Sequence, residues 1–224
     1  MELLFLVIDE IDNLKKITFI LFFLFLGNVF SQKVIKREFN TSGISIIEIT
    51  SDVIYHITIR SEKTNSIKIK AQIEGENYEN VVLSILKKHN SLQINTPFTP
   101  FFEVKNDKLA AHKLISIELE LIVPDTLEIK IKSAIASLTT SGSFKEISAN
   151  LEGGNCQLNN FKGNATLKTK QGFITVYANK EVVGRAVSKK GTVVNELSTK
   201  RSNNSKYRIE AQSFKGNISV FQIH

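Results

Sequence analysis

Residues 147–176 read ISANLEGGNCQLNNFKGNATLKTKQGFITV, and the two glycine-centred units inside this stretch decide the fold. The pattern around Gly154 and Gly172 recurs around Gly191 and Gly216. Two residues after each glycine stands a small or branched apolar side chain: Cys156, Ile174, Val193, Ile218. Four after come Leu158, Val176, Asn195 and Val220. Five before come Ala149, Leu167, Ala186 and Ala211, and seven before come Ile147, Ala165, Gly184 and Ile209. Each unit reads as an alternating strand, a turn at glycine and a second alternating strand. The intervals of 18, 19 and 25 residues point to a stacked solenoid. In that register Cys156, Ile174, Val193 and Ile218 fill one inward slot, and Ile174 stacks between Cys156 and Val193.

Upstream the chain is also strand-like. Val53, Tyr55, Ile57 and Ile59 alternate with Ile54, His56, Thr58 and Arg60. Ile67, Ile69, Ala71 and Ile73 alternate with Lys68, Lys70 and Gln72. Period-two alternation marks half-buried strands. Lys113 to Lys132 repeats it, with Pro124-Asp125 as a turn. Gly142 reads as the opening of an earlier, imperfect repeat. Residues 96–112 break the pattern with Pro97, Pro100, Phe98, Phe101 and Phe102, and proline excludes a central strand. The phenylalanines either lid the sheet or, with the neighbouring His112, grip a ligand. Residues 198–206 are polar and read as a solvated insertion.

The start of the chain reads as a targeting segment. Lys15 and Lys16 precede the apolar run Ile17 to Leu26, and Val29-Phe30-Ser31 places a small residue before Gln32. This is the layout of a secretory signal peptide over residues 1–31, and the run is short of the ~20 residues of a membrane span. Asp9, Glu10 and Asp12 do not suit a signal start, so residues 1–13 read as a mis-called beginning. Domain organisation is then signal peptide 1–31, a strand-rich N-terminal half 32–132, and glycine-punctuated repeats 133–224.

Without residues 1–31 the chain carries 27 basic and 18 acidic residues. Its lysines fall singly or in pairs along the whole length, on outward strand positions that keep sheets soluble. Even spacing is not the clustered footprint of a nucleic-acid site, so no nucleic-acid partner is expected. Cys156 is the single cysteine and sits in an apolar slot, which predicts a buried thiol and no internal disulfide.

The units Leu167-Lys-Thr-Lys-Gln-Gly-Phe-Ile-Thr-Val176 and Ile209-Glu-Ala-Gln-Ser-Phe-Lys-Gly-Asn-Ile-Ser-Val220 resemble the T-x-x-G-x-I-x-V repeats of bacterial adhesin-type families. These are the GIN-type, auto-transporter-adhesin-head-like β-strand proteins of Bacteroidetes-like envelopes. The resemblance covers residues 134–223 well and 34–132 loosely. The chain departs from the pattern at Asn195, where an apolar residue is usual, and at Phe173, where a polar one is. The resemblance implies a right-handed parallel β-helix and no established activity, and it supplies no catalytic residues.

Little in the residues points to chemistry. His56, His89, His112 and His224 have no second ligand at metal spacing, and no serine stands in a nucleophile context. The expected fold is all-β, a right-handed parallel β-helix with a strand-rich N-terminal half, or alternatively a β-sandwich. The expected function is a non-enzymatic exported module of the envelope, without cofactor or metal, that binds a glycan or an envelope protein or acts as a scaffold. No transmembrane span remains after signal cleavage, and the oligomeric state is open. Candidate ligand contacts are Phe98, Phe101, Phe102 and His112. Alternatives are a β-helix enzyme acting on polysaccharides and an envelope-associated signalling accessory.

Overall fold

A computed structural model describes residues 15–16, 32–75, 78–101, 115–199 and 205–223. The chain divides into two units, Met1–Ser31 and Gln32–His224. In the first only Lys15 and Lys16 are described, in helical conformation, so the signal-peptide expectation lies outside the described residues.

The second unit is all-β. Its strands are β1 (Gln32–Asn40), β2 (Ile46–Ser51), β3 (Ile54–Glu62), β4 (Ser66–Glu74), β5 (Ser84–Lys88), β6 (Ser91–Asn95), β7 (Ser116–Pro124) and β8 (Glu128–Ser133). There follow β9 (Ser137–Gly153), β10 (Cys156–Gln171), β11 (Ile174–Ala178), β12 (Val182–Lys190), β13 (Val193–Asn195), β14 (Tyr207–Lys215) and β15 (Ile218–Gln222). All fifteen join one continuous sheet, curled into two wings around a single core. The first wing runs β1-β4-β7-β3-β9-β10-β11-β15-β13. The second runs β5-β6-β2-β8-β9-β10-β14-β12. The long strands β9 and β10 belong to both, their first halves pairing in one wing and their second halves in the other. Phe144 and Phe161 stack at the bends, 6.0 Å between ring centres.

Most neighbours are parallel, and in the second half of the chain all are. The N-terminal half is mixed: β1–β4, β4–β7 and β5–β6 are antiparallel. The expected all-β class holds, and the mixed pairing also fits the β-sandwich alternative. Short connections set the antiparallel directions. Only two residues join β5 to its neighbour β6, whereas parallel neighbours need a dozen or more; three residues take the chain from β3 back along β4 on the far side of β7.

The turns between wings explain the glycines. A Cβ on Gly172 would lie 2.0 Å from the carbonyl oxygen of Gly154. The same overlap meets Gly154 against Ala136 (2.2 Å), Gly216 against Gly172 (2.0 Å) and Gly191 against Gly216 (2.3 Å). Stacked backbones approach too closely there for any side chain. Three residues before each turn, a hydroxyl satisfies backbone groups that the turn leaves open. Thr169, Ser213 and Ser188 donate to the carbonyls of Gly154, Gly172 and Gly216. Ser51 and Ser133 accept the N–H groups of Ile54 and Ala136. The Thr of the repeat pattern therefore holds neighbouring turns together.

The stacking order departs from the sequence order. β15 pairs with β11 on one side and β13 on the other, and β14 lies between β10 and β12. Ile174 thus stands between Cys156 and Ile218, not between Cys156 and Val193. Val193, at the open edge, is 41% exposed although it occupies the inward slot. The 25-residue interval leaves room for this return, after which β14 inserts between β10 and β12 and β15 between β11 and β13. Leu197 in that segment is buried over Gly184, whose N–H bonds the Ser198 carbonyl at 3.1 Å. The segment starts as a plug on the core. Asn195 breaks the apolar slot because it belongs to this cap: its side chain donates to the Gly184 carbonyl and accepts the Leu197 N–H.

Two local expectations also change. Gly142 lies within β9, with φ 105° where that strand bends from the first wing to the second, not at a turn between two strands. Tyr55 points outward at 59% exposure, because a register irregularity between Ile54 and His56 shifts the alternation by one residue.

Candidate functional site

The phenylalanine segment does not assemble a site among the described residues. Phe98 packs on the edge of the core, its backbone bridged to Val81, and Phe101 is fully exposed with φ 68°. Phe102 and His112 lie outside the described residues. His56 is on the outer surface of the first wing beside Glu118, and His89 sits in the β5–β6 turn. Among the described residues no group of three or more His, Cys, Asp or Glu could hold a metal ion. Cys156 is buried, and burial pushes its thiol up to about 12, which leaves it unionised and unreactive in the folded chain.

The outer face of the second wing is different. Parallel register aligns β8, β9, β10, β14 and β12, so residues far apart in sequence form rows across the strands. One row is Lys130, Ser148, Thr166, Glu210, Arg185. The next is Lys132, Asn150, Lys168, Gln212, Val187. A third is Glu152, Lys170, Phe214, Lys189. Within these three rows strands β8, β10 and β12 each carry two basic side chains, and one row earlier β14 adds Arg208, which pairs with Glu210.

An open groove of about 580 Å³ runs over the last three of these strands. Lys168, Lys170, Arg185 and Lys189 line it, and Phe214, 46% exposed, is part of its surface. The Lys189 and Lys190 ammonium groups sit 5.1 and 5.5 Å from the Phe214 ring centre, a cation–π arrangement that holds the charges over the ring. Lys170 pairs with Glu152, and Glu210 pairs with Arg208 at 3.1 Å. Both carboxylates on this stretch are therefore already engaged. Lys130, Lys132, Lys168 and Arg185 make no ion pair among the described residues, so their charge is available to a partner.

A second depression lies on the first wing. Lys36, Arg37, Lys68 and Lys70 line it together with Glu38 and Glu120, and Lys70 bonds Glu120 at 3.1 Å. Carboxylates are interspersed among the cations there, four basic groups to two acidic ones.

The basic groove was not singled out from sequence, where the lysines look evenly scattered. A signal was present in the repeat alignment. Lys168, Lys132 and Asn150 lie four residues before the turn positions 172, 136 and 154, and Lys170 and Lys189 lie two before 172 and 191. These are outward offsets, and stacking collects whatever occupies them.

No known family profile matches the chain, and no curated protein sequence matches it. Solved structures do. A "putative cell adhesion protein" from Clostridium sporogenes is similar with a TM-score of 0.64 and 17% identity, over 86% of this chain and all of that one. A "putative adhesin" from Bacteroides fragilis has a TM-score of 0.40 and 15% identity, over 85% and 97% of the two chains. Another from Parabacteroides distasonis has 0.37 and 10%, over 85% and 97%. At such identities the clostridial protein shows a shared fold, an all-β chain covered from end to end.

Proposed function

We propose that this protein is an exported, non-enzymatic binding module of the bacterial envelope, adhesin-like in use, built as a right-handed β-solenoid with an antiparallel N-terminal start. The right-handed winding is the one parallel crossovers take. Export rests on the signal-like arrangement of Lys15, Lys16 and the apolar run after them. The name of the clostridial protein of like fold agrees with this reading.

The observation that carries the proposal is the unpaired positive charge on the outer face of the second wing. Lys130, Lys132, Lys168 and Arg185 share one solvent-facing surface without internal partners. Clustered charge of one sign raises the local concentration of an oppositely charged partner and speeds its capture. The surface is rigid, since its backbone is sheet throughout, so binding orders only side chains.

The test is binding of the purified protein to isolated envelope material at physiological salt. Wild type is compared with a Lys168→Gln, Lys170→Gln, Arg185→Gln triple variant that melts at the same temperature. Retention should fall at least tenfold in the variant. Equal retention would remove the second wing as the contact surface.

A further inference from the structure

The rung made by β12 and β13 ends the stack, and it ends it open. β12 pairs with β14 and β13 with β15, and among the described residues neither strand has a neighbour on its other side. Backbone geometry aims the free side. The Gly184 N–H and C=O point away from β14, to the Ser198 carbonyl and the Asn195 side-chain amide. Backbone groups of alternate residues on a strand point the same way, so Ala186 and Ser188 also turn theirs away from β14. On β13 the Thr192 carbonyl accepts the Ile218 N–H and the Glu196 N–H donates to the Val220 carbonyl. That phase turns Val194 to β15 and leaves the Val193 backbone facing out. The core is equally incomplete at this end. Ala211 and Ile218 are buried, whereas their register partners on the last rung, Ala186 and Val193, are half-buried and exposed.

We propose that the β12 edge accepts an extended acidic segment of another protein as one further strand. The free N–H and C=O groups of Ala186 and Ser188 supply the main-chain ladder that gives strand addition its affinity. A small apolar side chain of the added strand turns inward over Ala186 and against Val193, and carboxylates on its outward positions meet Arg185 and Lys189. Charge selects this occupant over a second copy of the chain. Residues 182–195 hold Arg185, Lys189 and Lys190 and no acid, so two such edges facing each other set like charges together, which is how native edges avoid self-pairing. The edges at the other end of the sheet are basic too. β1 carries Lys33, Lys36 and Arg37 against Glu38, and β5 carries Lys87 and Lys88, so end-to-end stacking of copies is opposed as well. The site is the edge of the sheet and not its outer face, and the inference does not rest on the reading above.

The experiment measures by calorimetry, at one ionic strength, the affinity of the purified protein for three synthetic octapeptides. The first alternates valine and glutamate. The second replaces glutamate with lysine. The third is the acidic peptide N-methylated at every residue, which keeps the charge and cannot form a ladder. The first should bind once per chain and about tenfold or more tightly than either control. Ala186→Pro removes the donor aimed at the new strand and no bond to β14, a place where an edge tolerates proline, and Lys189→Glu reverses one charge. Each should weaken the acidic peptide about fivefold or more, and Lys132→Gln, four strands away, should leave it unchanged. Equal binding of the N-methylated peptide means capture by charge without strand addition and overturns the proposal, and it decides the matter if Ala186→Pro does not fold. No binding of the acidic peptide also overturns it, while the envelope-binding assay of the outer face stands or falls separately. Sedimentation of the protein alone as a dimer that Ala186→Pro dissociates would give the edge to a second copy and overturn the assignment.

Discussion

The same rungs of the stack carry two unlike surfaces. On the first wing, β9, β10, β11, β15 and β13 present Ser137, Thr139, Gln157, Asn159, Thr175, Tyr177, Ser219, Phe221 and Val194, with no charge among them. On the second wing, β8, β9, β10, β14 and β12 present three basic pairs. Both faces are outer surfaces of parallel sheet with the same core behind them. The uncharged face carries hydroxyl and amide groups, with Tyr177 and Phe221 stacked at 5.4 Å on its far row. The lysines of the other face mark the surface to which the proposal above assigns a negatively charged partner.

This contrast depends on which side chains face in and which face out, so the hardest way to break it is to reverse one. Ile174 is fully buried and Thr175, next to it, faces the uncharged outer surface. Ile174→Asp should remove cooperative folding, because a carboxylate without a partner costs several kcal/mol in that slot. Thr175→Asp should shift stability by about 0.5 kcal/mol or less. Thermal melts of the pair measure the difference, and equal losses would contradict the register.

Gly172→Ala probes the turn that joins the two wings. The new Cβ would meet a backbone carbonyl at 2.0 Å with no flexible side chain to yield. A loss of about 3 kcal/mol is expected by denaturant titration. A neutral result would mean that the stacked turns can part.

Thr140 tests the inner side of the uncharged stretch of the first wing with the opposite sign. It occupies the slot of Leu158, Val176 and Val220, is fully buried, and its hydroxyl has no hydrogen-bond partner among the described residues. Thr140→Val keeps the shape and removes the orphan group, so stability should rise by about 1 kcal/mol. A lower melting temperature would show that the hydroxyl is satisfied.

The smallest expected effect sharpens the comparison most. Replacing Lys132, Lys168 and Lys170 together with Gln should leave stability within about 0.5 kcal/mol per site, and the protein should stay soluble. Light scattering at rising concentration checks this. Aggregation would return the lysines to a solubilising role.

Much of the fold was legible because glycine, hydroxyl and apolar positions recur at fixed offsets. Those offsets reflect backbone contacts between neighbouring rungs, and such contacts repeat wherever rungs stack. What sequence spacing does not encode is the order of the rungs. Residues 198–206 read as a polar loop, yet Leu197 just before them caps the core and β14 and β15 insert inward of β12 and β13. The candidate site stayed hidden for the same reason. Lys132, Lys168 and Arg185 are scattered along the chain and meet only once the rungs are ordered. Tyr55 was misplaced because a single-residue irregularity leaves no mark on an otherwise regular alternation.

The gathering of charge follows from that rung order, and disulfide trapping tests it directly. Thr175 and Ser219 are register partners on adjacent strands, and Val194 is one strand further out, beside Ser219. Neighbouring strands place Cα atoms about 5 Å apart, within disulfide reach, whereas two spacings place them ~10 Å apart and beyond it. Native Cys156 is buried with its thiol pushed up to about 12, so it stays out of the reaction in the folded protein. Under mild oxidation the Thr175→Cys, Ser219→Cys pair should close an intramolecular bridge and the Thr175→Cys, Val194→Cys pair should not. A bridge in the second pair and none in the first would place the rungs in sequence order and contradict the account.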